Sequence, residues 1–202
     1  NCYSNGSSEE YLGRALRKFK NRDEVIIATK VYFNEGKLSY NAIKREVENS
    51  LKRLDTNYID LLIIHRFDYD TPIEETMRAL NDVIEEGKVR YIGASAMYAY
   101  QFAKMQDIAR SHDYHTFIWI QNHYNLIYRE EEREMMKLLK EENVSSTPYS
   151  PLAAGRLARL WDSNSKRGQI DAFASKKYDS TKELDFPIVQ RVNELANKYK
   201  VP

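Results

Sequence analysis

Five short apolar runs in this sequence each end on a residue able to hold or move a proton. Lys30 closes I-I-A-T-K, His65 closes L-L-I-I-H, Ser95 closes Y-I-G-A-S, Gln121 closes I-W-I-Q, and Tyr149 and Ser150 follow S-T-P. Tyr3 stands in the equivalent place, just ahead of the first helical segment. Amine, imidazole, hydroxyl, amide and phenol groups are the materials of general acid–base catalysis and of hydrogen bonding to a polar ligand. Singly, each has an ordinary reading. A lysine after a strand is commonly a solvated loop residue, and a histidine closing an apolar strand is commonly a satisfied core residue. Ser95 and Gln121 could be plain strand-to-helix turns. Registry argues for a site, because unrelated accidents would not all fall at one end of successive strands. Position alone, however, names no reaction.

The elements that must hold these groups follow from hydrophobic patterning. The apolar runs start near residues 25, 59, 89, 117 and 144, one βα unit of roughly 30 residues apart. They lack strict alternation, as strands buried on both faces do. Between them, amphipathic periods predict helices. Leu12, Ala15, Leu16 and Phe19 follow a capping signal at Ser7–Glu10; Ile43, Val47, Leu51 and Leu54 follow Ser39. Thr71-Pro72-Ile73-Glu74 opens a third helix that closes near Gly87, with further helices at about 99–111 and 130–142 and a last one from Pro187. Residues 155–187 form a long polar stretch, read as a functional loop.

Repeated βα units allow an open doubly wound sheet or a closed (β/α)8 barrel. The seven glycines include no G-x-G-x-x-G and no phosphate-binding loop, which favours the TIM barrel, of which about five complete units are visible. The 202 residues are read as one domain. Net charge +1 gives no electrostatic footprint for nucleic acid or an anionic membrane. No run reaches the ~18 apolar residues of a membrane span. The one cysteine, Cys2, and the absence of zinc-ligand spacing point to no metal and to a reduced, cytoplasmic setting.

Six segments, taken together, resemble the aldo-keto reductases, in particular the yeast-type aryl-alcohol dehydrogenases and the potassium-channel β subunits. They are N-C-Y-S-N-G-S-S-E-E at 1–10, I-I-A-T-K at 26–30, Y-I-D-L-L-I-I-H-R at 58–66, V-R-Y-I-G-A-S at 89–95, Q-N-H-Y-N-L at 121–126 and T-P-Y-S-P-L-A-A-G-R-L at 147–157. The resemblance implies reduction of aldehydes or ketones to alcohols by hydride from a nicotinamide. Tyr3 would be the general acid, Lys30 the cation that lowers its pKa, and His65 the group that orients the carbonyl of a small-molecule substrate. A phenol of ordinary pKa near 10 is a poor acid–base group at neutral pH, and a neighbouring ammonium favours its ionised form. By the same resemblance, Ser95 and Gln121 would bind the nicotinamide carboxamide and Tyr149 would stack on its ring. Ser150, Leu152, Gly155 and Arg156 would hold the pyrophosphate; that Arg156 and Arg159 contact phosphate from the polar stretch is a separate hypothesis, which charge reversal without loss of dinucleotide affinity would remove. NADPH is the implied cofactor, NADH being left open.

Three positions depart from the family pattern. The aspartate that supports the lysine would fall before Asn1, the carboxamide-binding Asn after Ser95 is Ala96, and the loop for the adenosine 2′-phosphate would fall after Pro202. With a start lacking methionine and a length below the ~250 residues of a typical barrel, these lead to the expectation of a barrel lacking N- and C-terminal parts. A second reading is therefore a chain of the same ancestry that is catalytically incompetent, or one that binds nicotinamide in a regulatory role. Assembly with another chain, including a homo-oligomer, stays open. Tyr32, Phe33, Phe67, Tyr69 and Trp161 could line an apolar substrate pocket or equally pack against the helices.

Overall fold

The sheet is built from short strands whose side chains divide cleanly between two faces. A computed structural model describes residues 2–19, 21–158, 160–161 and 172–201. In chain order it contains α1 (Ser7–Phe19), β1 (Ala28–Val31), α2 (Tyr40–Leu54), β2 (Ile59–Ile64), α3 (Ile73–Glu85), β3 (Val89–Ser95) and α4 (Ala99–Ser111). These are followed by β4 (Trp119–Gln121), α5 (Met135–Glu141), β5 (Ser145–Ser146), α6 (Ala172–Tyr178) and α7 (Lys182–Tyr199). Among the described residues the five strands pair in parallel in the order β1-β2-β3-β4-β5. This is the alternating α/β architecture of a (β/α)8 barrel, carried over five of its strands. None of the described helices is long and apolar enough to cross a membrane.

The chain divides into two compact units, residues 1–122 with 134–147, and residues 123–133 with 148–202. In the first, one sheet face meets the helices. Leu62, Ile64, Ile92, Ala94 and Ile120 from the strands are buried with Ile43 and Val47 of α2, Met77, Leu80 and Val83 of α3, and Phe102 of α4. Each such Leu, Ile, Val, Met or Phe side chain contributes about 1.5–3 kcal/mol on burial. The period of these positions is what the sequence predicts for α2 to α4. The opposite face carries Lys30, Ile63, Gly93, Ser95, Trp119 and Gln121 in register. It also carries Tyr91, which is exposed.

The amino-terminal ends of β1 to β3 are locked by Asp60. Its Oδ2 accepts from Arg22 at 2.6 Å and from the Ile27 amide at 2.9 Å, and its Oδ1 accepts from Arg90 at 3.1 Å. Both guanidinium groups also lie against the Tyr58 ring, 3.8 and 3.9 Å from its centroid.

Several element boundaries differ from expectation. β1 starts at Ala28 rather than near residue 25, because the Ile27 carbonyl takes the amides of both Asp60 and Leu61 and the ladder begins only beyond it. β5 is two residues long instead of spanning 143–149; Thr147 follows it and then Pro148, which has no amide to donate. The last helix begins at Lys182, with Pro187 inside it. A proline this close to the start removes one early backbone bond, and the Thr181 hydroxyl donates to Asp185 at 2.7 Å where the helix opens. Residues 155–187 are accordingly not one loop: α6 and the start of α7 lie within it. Buried Tyr178, at the end of α6, joins Ala153, Leu157 and Val189 in the core of the second unit.

Candidate active site

Three of the expected residues meet at the carboxyl ends of β1 and β2. Lys30 is on β1 and faces the same side of the sheet as Ile63. His65 follows β2 directly, its amide held by the Val31 carbonyl at 2.9 Å. Tyr3 opens a tight 3-10 turn in which Ser4, Asn5 and Gly6 all have left-handed φ, at 48°, 52° and 90°. The Ser7 hydroxyl donates to the Ser4 carbonyl at 2.8 Å and closes that turn. The Tyr3 hydroxyl then lies 3.3 Å from His65 Nε2, and the Lys30 ammonium stands 5.4 Å from the Tyr3 ring centroid. Cys2 Sγ is 3.8 Å from His65 Nδ1, and the Phe33 ring meets the imidazole edge-on at 5.0 Å.

Electrostatics set the protonation states. Burial, with Cys2 adding to it, pushes the Tyr3 phenol above its ordinary value. Burial likewise pushes Lys30 down. His65 is pushed down to about 4, first by burial and then by the positive charge of Lys30. The direction at Tyr3 is opposite to the one expected from a neighbouring ammonium. Loss of hydration at the phenol is the larger cause and Cys2 adds to it, while Lys30 lies over the ring and is itself half-buried. Near neutral pH the site therefore presents a protonated phenol beside a neutral imidazole.

Sequence reasoning missed the residue that anchors this turn. Glu9 reads as a surface helix-cap carboxylate, yet it is buried. Its Oε1 accepts from Thr29 at 2.5 Å and its Oε2 from Arg53 at 2.6 Å. Glu9 thus ties α1, which follows Tyr3, to the β1 residue next to Lys30 and to the end of α2. A cavity of about 80 Å³ lies among Tyr3, Glu9, Thr29 and Lys30.

Ser95 and Gln121 are partners in the β3–β4 ladder, and the Ser95 hydroxyl donates to the Gln121 carbonyl at 2.5 Å. The Gln121 amide makes a long contact of 3.5 Å with Thr147. Ala96, after Ser95, has a left-handed φ of 49°.

Tyr149, Ser150, Leu152, Gly155 and Arg156 group in the second unit. Tyr149 pairs in a parallel bridge with His123 and stacks on its ring, with centroids 5.2 Å apart. Ser150 has φ 56°, and its carbonyl accepts from Asn125 Nδ2 at 2.9 Å. Leu152 is exposed, and Ala153, Ala154 and Gly155 all have left-handed φ. The Arg156 guanidinium pairs with Asp179 at 2.5 Å and lies over the rings of Trp161 and Tyr178, so much of its charge is already engaged. Arg159 lies outside the described residues. His123, with buried Asn125, is the second feature that sequence reasoning passed over; only its place inside Q-N-H-Y-N-L marked it.

A parallel α/β sheet with acid–base groups gathered at its strand ends is the arrangement of a barrel enzyme. The aldo/keto reductase family profile matches residues 1–202. The chain is 42% identical, over its whole length, to 63% of an aldo-keto reductase from Fusarium vanettenii. It is 46% identical over 97% of its length to 64% of the versiconal hemiacetal acetate reductase of Aspergillus parasiticus. With an aldo-keto reductase of Alternaria alternata the identity is 40%, over the whole chain and 63% of the relative. The chain belongs to the aldo/keto reductase family, and it spans a little under two thirds of the length of these relatives.

Proposed function

We propose that the protein is an oxidoreductase that reduces an aldehyde or ketone to an alcohol with a nicotinamide cofactor, and that Tyr3 is its general acid. The observation that carries this reading is the Tyr3–His65 pair, 3.3 Å apart, with Lys30 over the phenol. With Nε2 protonated, the imidazole N–H and the phenol O–H form two donors for one carbonyl oxygen, and Nδ1 accepts from the Cys2 thiol. The neutral state of His65 suits this role, because a neutral ring directs a donor without an ionised group in the pocket. As charge develops on the oxygen, Tyr3 gives up its proton. Lys30, with its own pKa lowered by burial, is placed to stabilise the phenolate left behind and to resupply the proton.

A carboxamide needs both a donor and an acceptor, and Gln121 offers both, beside Ser95. In the first unit these two residues fit a nicotinamide carboxamide; in the second, Tyr149 is our candidate for a nicotinamide ring and Ser150, Leu152, Gly155 and Arg156 for a pyrophosphate. When bound, the cofactor supplies hydride to the carbonyl carbon. Phe33, half-exposed beside the imidazole, supports an apolar or aromatic group on the substrate. Tyr32 and Phe67 instead pack against the core, which leaves them to hold the loops. We place the protein in a reducing, cytoplasmic setting, in keeping with the free thiol of Cys2.

The test is an aromatic-aldehyde assay following nicotinamide absorbance, run with NADPH and with NADH. Tyr3→Phe should lower turnover by about 10²–10⁴-fold, the contribution of a positioned general acid. Cofactor affinity, read from tryptophan fluorescence, should stay nearly unchanged. Full activity in Tyr3→Phe overturns the assignment, and cofactor binding without turnover in the unmutated protein favours the regulatory reading.

A further inference from the structure

His123 is the one histidine that the sequence places in the second unit. Its ring is buried and stacks on Tyr128, centroids 4.1 Å apart and planes 27° apart, and on Tyr149 at 5.2 Å and 17°. Its Nε2 lies 2.7 Å from the Tyr178 hydroxyl and 3.2 Å from Asn125 Nδ2. An amide nitrogen only donates, so Nε2 is the acceptor and the ring proton sits on Nδ1. The Tyr178 hydroxyl then donates its hydrogen to Nε2. The same Asn125 nitrogen donates to the Ser150 carbonyl at 2.9 Å, while Asn125 Oδ1 accepts from the Ile127 amide at 3.0 Å. Backbone bonds between Asn125 and Tyr128, 3.1 Å in each direction, close the turn that places Tyr128 on the ring.

The consequences fall on two neighbours. The Tyr149 ring has the Lys177 ammonium 4.6 Å from its centroid, and His123 supplies it with a nearly parallel stacking face. Ser150 sits in left-handed backbone at φ 56°, a conformation that is strained for a residue with a Cβ and needs an external hold. Asn125 provides that hold through the Ser150 carbonyl. We propose that His123 and Asn125 form a rigid brace that sets the ring plane of Tyr149 and the backbone of Ser150, making His123 a positioning residue for the nicotinamide. This rests on the reading of Tyr149 and Ser150 as cofactor contacts. It assigns the histidine no contact with cofactor and no proton transfer.

The brace requires a neutral ring. Burial, followed by the nearby Lys177 ammonium, pushes His123 down to about 4. A proton on Nε2 would replace its acceptor lone pair with a donor facing the Asn125 amide hydrogens and release the Ser150 carbonyl.

Two measurements separate this inference from the reading beneath it. The first needs no cofactor: in ¹⁵N-labelled protein, the His123 ring should appear as the neutral Nδ1–H form, unchanged from pH 8 to pH 5.5. A protonated ring or the Nε2–H form overturns the brace. The second compares His123→Leu and His123→Phe with the unmutated protein, using NADPH labelled with deuterium on either face of C4. His123→Leu should weaken NADPH binding about tenfold and let measurable deuterium transfer from the disfavoured face, since misplacement by about 1 Å costs up to about 10²-fold. His123→Phe keeps the stacking surface and should restore the facial selectivity while leaving part of the affinity loss. If the unmutated protein binds NADPH and His123→Leu matches it in affinity and selectivity, the positioning role is wrong. If the unmutated protein does not bind NADPH at all, the cofactor reading itself fails and the positioning role goes with it.

Discussion

Replacing Gly13 with alanine should push α1 away from α2 and disturb the turn that presents Tyr3. Gly13 of α1 lies against the backbone at the end of α2. A Cβ built there would stand 2.6 Å from the Leu54 carbonyl oxygen, 2.8 Å from its carbon and 2.9 Å from the Arg53 carbonyl oxygen. These are backbone atoms at the end of α2, so no rotamer change relieves the contact. Restoring an ordinary 3.4 Å separation needs a shift of about 0.8 Å in α1. Alanine gains about 1 kcal/mol over glycine in a helix interior. Overpacking against immobile backbone costs about 3 kcal/mol, the upper end of its range. The net loss is therefore about 2 kcal/mol, or about 4–8 °C in melting temperature for a chain of this size. The displacement carries Glu9 with it, and with Glu9 its bonds to Thr29 and Arg53. Turnover should then fall by an order of magnitude or more, given how steeply rate depends on placement. Thermal unfolding followed by circular dichroism reads the first effect and the aldehyde assay the second. Gly87→Ala is the control, because a Cβ there meets nothing within 4 Å and only its φ of +70° is strained. Gly13→Ala as stable as the unmutated protein would refute the close-packing argument.

Ala96 holds a left-handed φ of 49° at the end of β3, a position that asparagine occupies with less strain. Ala96→Asn should raise stability by about 0.5–1 kcal/mol, seen as a higher urea midpoint at unchanged slope; a lower midpoint contradicts it. Stability should also depend on pH through His65 and His123. Both have folded values near 4 against an ordinary 6.5, so between these limits the unfolded chain binds more protons. Their contribution is complete above about pH 6.5 and is lost as pH falls from there toward 4. Urea melts at pH 8, 7, 6 and 5 should show this decline, with His123→Phe removing its share; a flat profile or a rise toward acid argues against neutral, buried imidazoles.

Much of the first unit follows from local pattern. Ile43, Val47, Leu51 and Leu54 repeat on one side of α2, and any fold that uses this helix must bury that stripe. Strand ends carrying Lys30, His65, Ser95 and Gln121 are legible for the same reason, because buried parallel strands stop where polar residues begin. What the pattern does not contain is distance. Whether the Tyr3 hydroxyl meets His65 depends on three left-handed residues in a row and on Glu9 reaching Thr29 and Arg53 across the fold. Periodicity sees Glu9 only as a charge on a helix. Its burial, and the loss of hydration that raises Tyr3 and lowers Lys30 and His65, exist only once distant segments pack together.

The sequence by itself thus determined the order of βα units and the chemical groups at their ends, since both are properties of neighbouring residues. Only the tertiary structure decided which groups touch and which protonation states they hold. It also put Pro187 inside a helix and clasped His123 between Tyr128, Tyr149 and Tyr178. Those outcomes turn on contacts between residues far apart in the chain, whose energies no local pattern records.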